Sequence, residues 1–163
     1  MPQGSKRSLR RRALVISKHN LPILNDYECA RLAKGTQQHP DGRIDGEAFL
    51  LREHDDFLSV NCIDFHDGDS RDDKIDDLRH LLDTLMENLR KSHLFAIFKV
   101  GDAITYVGGM TDDKRELTIK HEWEANNHSH CGVHGFEFGE IIIADLLAES
   151  VNSNPGTVIP AKL

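Results

Sequence analysis

Residues 121–135 read HEWEANNHSHCGVHG, which places four of the chain's ten histidines and one of its three cysteines within fifteen positions. Two chemistries use such side chains. The imidazoles of His121, His128, His130 and His134 and the thiolate of Cys131 are donors of the kind zinc binds in a tetrahedron. Glu122 or Glu124 would then add an oxygen, or act as base on a metal-bound water. In the other chemistry Cys131 is a nucleophile, with His121, His128 or His134 as its base. His128 and His130 share a side if the backbone is extended, and His130 and His134 come together if it is helical. No complete metal motif is present: there is no HExxH and no cysteine pair. The plain alternative is a polar loop whose histidines hydrogen-bond to backbone.

A second set of polar residues lies in DFLSVNCIDF, residues 56–65. Alternation puts Phe57, Ser59, Asn61 and Ile63 on one face and Leu58, Val60, Cys62 and Asp64 on the other. Ser59 and Asn61 in an otherwise apolar strand suit a small pocket with polar groups for a ligand, or side chains that bind loop backbone. The acidic run DFHDGDSRDDKIDD, 64–77, resembles a calcium loop at Asp67 and Asp69. It lacks the glycine and glutamate such loops need, and capping of a helix by Ser70 or Asp72 explains it without an ion.

These residues need elements to hold them. ALVIS at 13–17 reads as a first strand. NDYECARLAKG at 25–35 reads as a helix, with Asn25 as cap and Gly35 as stop. Residues 36–46 are turn chemistry. EAFLLR (47–52) and 56–65 read as strands. The clearest pattern is 72–91, where Ile75, Leu78, Leu82, Leu85, Met86 and Leu89 form one helical stripe. HLFAIFKVG (93–101) is a buried-type strand, and AITYVGG (103–109) reads as its hairpin partner. ELTIKHEWE (116–124) alternates, with Leu117, Ile119, His121 and Trp123 on the core side. Residues 138–151 form a closing helix, with Ile142, Leu146 and Glu149 on one line and Ile143, Leu147 and Val151 on another. Strands interleaved with three helices predict an α+β domain: a single mixed or antiparallel sheet with about three helices packed on it. The expected organisation is a basic flexible arm at 1–12, one domain at 13–151 and an irregular tail at 152–163.

Charge and cysteine usage narrow the classes. The net charge is −7, yet residues 1–12 carry five basic side chains and no acid, so the rest of the chain carries −12. Nucleic-acid binding by so acidic a body is disfavoured, though the arm can touch one. No apolar run is long enough for a membrane span. Cys29, Cys62 and Cys131 are odd in number and far apart in sequence, which points to a reducing, cytoplasmic setting.

The stretches 46–65 and 126–151 resemble segments of a family of small bacterial proteins that has no assigned reaction. Its pattern is G-x-A-F-x-L-R, then L-S-V-N, then S-H-x-G-(I/V)-x-G before a helix. The matching positions are Gly46, Ala48, Phe49, Leu51, Arg52, Leu58, Ser59, Val60 and Asn61, then Ser129, His130, Gly132, Val133 and Gly135. Where this chain has Cys62 the similar proteins carry an aromatic. The resemblance implies a bacterial cytosolic protein whose site uses His130 with Arg52, Ser59 and Asn61. The expected function is a non-enzymatic binding or accessory protein that works with a protein partner encoded nearby. The alternative is a small hydrolase built on loop 121–135, with zinc as the one cofactor the residues suggest.

Overall fold

Apolar side chains alternate along the strands and so sort themselves into two layers, one on each side of a sheet. A computed structural model describes residues 20–163. Within it, six strands make one sheet: β1 (Glu28–Ala33), β2 (Leu58–Cys62), β3 (Leu94–Lys99), β4 (Thr118–His121), β5 (His130–His134) and β6 (Val158–Pro160). Their order is β4-β5-β2-β1-β3-β6, and each neighbouring pair is antiparallel. Three helices cover it, α1 (Arg71–Leu85), α2 (Val100–Met110) and α3 (Ile141–Asn152), so the fold is α+β. No helix of the described residues is long and apolar enough to cross a membrane.

On one face, Cys29, Val60, Cys62, Phe98, Ile119, Cys131 and Val133 pack with Val107 of α2 and Ile143, Leu147 and Val151 of α3. On the other face, Ile75, Leu78 and Leu82 of α1 pack on Ala30, Phe95 and Ile97, as the apolar stripe predicts. That second cluster contains no residue of β4 or β5. There the same face carries Ser59, Asn61, His130, Gly132 and His134, so half of one sheet face is polar.

Several elements differ from the expectation. Residues 25–35 hold strand β1, not a helix. Six of its residues pair with β3, and Cys29, Ala30 and Ala33 are buried on alternate faces, so ladder partners distant in sequence outweigh local helix signals. Asn25 does serve a helix start, but another one: the carbonyls of Asn25 and Tyr27 accept the N–H groups of Gly101 and Val100 at the head of α2. Residues 103–109 belong to that helix, whose stripe Val100, Ala103 and Val107 has helical spacing. Residues 47–52 are not a strand: Gly46–Phe49 is a 3-10 turn capped by the Asp45 side chain. A Cβ at Gly46 would overlap the Asp145 side chain of α3 and crowd its Cα, so glycine lets the turn approach this helix closely. Strand β2 is shorter than 56–65 and buries Leu58, Val60 and Cys62 on one side, with Ile63–Phe65 turning as a 3-10 helix.

Helix α1 stops at Leu85, so Met86 and Leu89 lie beyond it; Leu89 is buried, while Leu85 and Met86 are half-buried. In α3 the buried arc follows Ile143, Leu147 and Val151, and Ile142 is 70% exposed. The tail is not wholly irregular, because Val158–Pro160 pairs with β3 as an edge strand. The strand expected at 13–17 and the arm at 1–12 lie outside the described residues.

Candidate ligand-binding site

The β4–β5 hairpin and β2 build the polar half-face. Register sets His130 opposite Asn61, and Gly132 opposite both Ser59 and Lys120. Side chains directly opposite in an antiparallel pair lie on the same face. His130 therefore meets β2's polar residues without any help from the loop sequence.

His130 is 7% exposed. Its Nδ1 lies 2.8 Å from the carbonyl oxygen of Glu122. A carbonyl only accepts, so Nδ1 carries the proton and donates. Nε2 is then the acceptor, and Ser59 Oγ stands 3.1 Å away to donate to it. Glu124 Oε1 lies 3.4 Å from Nδ1, on the outer side. Phe57 packs beside the rings of His130 and His134, with centroids 5.9 and 5.0 Å away. It covers Gly132, where an added Cβ would stand 2.5 Å from the Phe57 ring. His134 Nε2 meets Glu122 Oε1 at 2.7 Å, which ties β5 to the residue that anchors His130.

Asn61 of β2 reaches to the connection between β4 and β5. Its Oδ1 accepts from Asn127 Nδ2 at 2.9 Å and from Ser129 Oγ at 3.2 Å. It pins the segment before β5 and thereby sets where His130 begins. Arg52 is at the surface, and its guanidinium holds both Asp55 carboxylate oxygens. It lines, with Ser59, Arg31, Asp55, Met86 and His93, a groove of about 620 Å³. Of the four residues expected together, Ser59 and His130 touch, Arg52 and Ser59 share the groove, and Asn61 supports from behind.

The five residues considered for zinc are not brought together. His121 and Cys131 are register partners on the core face. His121 Nε2 donates to the carbonyl of His128 at 2.9 Å, and its ring meets Phe65 edge-on. His130 and His134 point to the opposite face. His128 donates from Nε2 to the Phe65 carbonyl at 3.1 Å and lies against His66. A strand at 130–134 leaves the first and last histidines on one side but about 13 Å apart along the chain. Among the described residues no three His, Cys, Asp or Glu are placed to hold a metal ion, so this donor set does not fit one zinc.

The cysteines, distant in sequence, meet in space. Cys29, Cys62 and Cys131 are buried on the core face of β1, β2 and β5. Burial pushes the Cys29 and Cys62 thiols up, as does the hydrogen bond each shares with Cys131. Burial also raises Cys131, but the hydrogen bonds it accepts from both thiols and from backbone amides leave it the most acidic of the three. With no solvent access, the trio offers an attacking reagent no approach, which removes the setting a nucleophilic Cys131 needs.

Arg31 is the groove residue that the sequence reading missed. β1 and β2 pair only at Cys29–Cys62 and Ala30–Asn61 and then part. The Arg31 guanidinium fills the gap, with Nε donating to Ala48 O at 2.8 Å and Nη1 to Ser59 O at 2.9 Å. Reading 25–35 as a helix hid it. Read as a strand, 28–33 puts Arg31 on the same face as the buried Cys29 and Ala33, and a cation among inward positions is the signal.

Comparison of the chain with family models, with curated proteins and with solved structures finds no match.

Proposed function

We propose that this is a binding protein, and that the polar half-face around Ser59 and His130, opening into the groove beside β1, holds its ligand. One observation carries the reading: His130 is almost fully buried, its tautomer is set by the Glu122 carbonyl, and it presents Nε2 to an exposed Ser59 hydroxyl. A rigid imidazole with one directed partner at a solvent boundary is the preorganisation that ligand recognition uses. The resemblance in 46–65 and 126–151 points to the same residues. Native mass spectrometry of the purified protein against mixtures of small metabolites tests this. The expected result is a retained molecule that shifts the NMR signals of Ser59 and His130 and is lost in His130→Ala. A protein that retains nothing across such mixtures sinks the reading.

A second reading, a small hydrolase, is favoured by the Ser59–His130 contact itself. Oγ would attack an acyl carbon while its proton passes to Nε2; the bond to the leaving group would break as that group takes the proton from Nε2, and a water, deprotonated by Nε2, would then cleave the acyl–Oγ ester and return the proton to Oγ. Binding is preferred because Ser59 sits mid-strand with its carbonyl held by Arg31, whereas the nucleophile elbow of an α/β-hydrolase stands on a sharp turn that lifts Oγ clear. Hydrolysis of an activated ester at equal rates in wild type and Ser59→Ala would exclude it.

A further inference from the structure

We propose that the groove beside Ser59 is an anion site, in which Arg31 binds the carboxylate or phosphate group of a small molecule. The inference rests on the binding reading above and names the ligand's chemistry. Arg31 is half-buried, and its two hydrogen bonds go to backbone carbonyls, which accept protons without neutralising charge. It forms no ion pair with any described carboxylate. Nη2 has no acceptor among the described residues. Asp55 lines the groove and acts electrostatically on Arg31, but both its oxygens are committed to Arg52. Glu47 lines the groove without pairing with Arg31. A cation partly removed from water without a counter-charge is costly, and an incoming anion offsets that cost.

The surroundings agree. Burial lowers the Arg31 pKa, and the neighbouring Arg52 guanidinium lowers it further, against a weaker opposing effect of Asp55. Lys34 and His93 also line the groove. With Arg52 and Asp55 cancelling each other, Arg31 and Lys34 outnumber Glu47. The groove is thus a cationic spot on a body that otherwise carries a large negative charge. A planar guanidinium held at Nε and Nη1 presents Nη2 in a fixed direction, from which it can donate a charge-assisted hydrogen bond to an oxygen of a carboxylate or phosphate. Arg31 also holds the carbonyl of Ser59, and both residues line the same groove, whose hydroxyl-bearing Ser59 faces His130. The ligand class is a small anion whose adjoining portion reaches Ser59.

The test is NMR titration of the full-length protein with inorganic phosphate, with acetate, and with chloride at matched ionic strength, reading the Arg31 Nε–H and the Ser59 amide. The expected result is a saturable shift at both signals for phosphate, acetate or both, and none for chloride; the tighter anion names the source. Arg31→Gln should weaken that binding about tenfold, the loss of one charge-assisted pair. If Arg31→Gln does not fold, Arg31→Lys keeps the charge but cannot hold both the Ala48 and Ser59 carbonyls while aiming a further donor into the groove, and should also bind more weakly. Wild-type shifts that stay linear, or that chloride reproduces, overturn the inference, as does unweakened binding in Arg31→Lys. If metabolites move Ser59 and His130 while phosphate and acetate leave Arg31 unmoved, the anion assignment falls and the binding reading stands. Saturation at Arg31 with no metabolite reaching His130 is the converse.

Discussion

At the scale of single residues, hydrogen-bond direction decides what each histidine can do. His130 is held by a carbonyl and a hydroxyl, so truncating it removes two bonds and strands the Glu122 carbonyl. His130→Ala should cost about 2 kcal/mol by urea unfolding, against less than about 1 kcal/mol for the more exposed His134→Ala. A cost for His130→Ala no larger than for His134→Ala would show that the ring is not structurally held. His66 is the buried counterpart. Its Nδ1 donates to Asp77 Oδ2 at 2.9 Å, and its Nε2 has no partner among the described residues. That hydrogen bond, ahead of burial, which acts in the opposite sense, holds the Asp77 carboxyl below its usual 3.8. A depressed carboxylate contributes stability that is present above the unfolded value and lost as pH falls through the folded one. Asp77 is more than a third exposed, so solvent screening limits the effect to about 1 kcal/mol. Asp77→Asn should therefore be less stable than wild type at pH 7, and the two should converge on acidification below pH 4. A difference that persists at pH 2 would assign the effect to packing instead.

At the scale of elements, packing sets the costs. Leu82 is buried in α1 against the Phe95 and Ile97 face of the sheet, and Leu82→Ala should lose about 2–5 kcal/mol. Leu85, half-buried at the helix end, should lose clearly less when truncated in the same way. Equal losses would mean that the stripe packs differently from the contacts described. On β5, Gly132 lets the Phe57 ring lie close over the strand, tilted against His130 and His134. Gly132→Ala puts a Cβ into that ring and should destabilise by about 1–3 kcal/mol. It should also move the ring-current shifts of His130 and His134, and unchanged shifts would show that Phe57 does not depend on the glycine.

At the scale of the whole molecule, one sheet separates two chemistries. The core face holds Cys29, Cys62 and Cys131 and the buried His121, while the opposite face holds His130, His134 and Ser59 beside the groove. The three thiols are shielded by both layers, so a water-soluble thiol reagent should label none of them in the native state. All three should react once denaturant unfolds the chain, at a rate that follows global opening. Rapid labelling of one thiol in the native protein would expose a route into the core that the packing does not show.

What the sequence determined alone is what local periodicity encodes. The stripe from Ile75 to Leu82, the alternation from Leu117 to His121 and the apolar runs at 94–99 and 141–152 each carry their burial pattern in a few consecutive residues, and the α+β class follows from their order. The pairing of Ser59 with His130 was legible only as two motif fragments. Tertiary structure decided the rest. Residues 28–33 became a strand because β2 and β3, more than twenty residues away, supply the ladder, and 100–110 became a helix because Asn25 and Tyr27 cap it from outside. Register across β4, β5 and β2 sent His121 and Cys131 to one face and His130 and His134 to the other. A side chain's face depends on which residue stands opposite, and that partner lies on another strand.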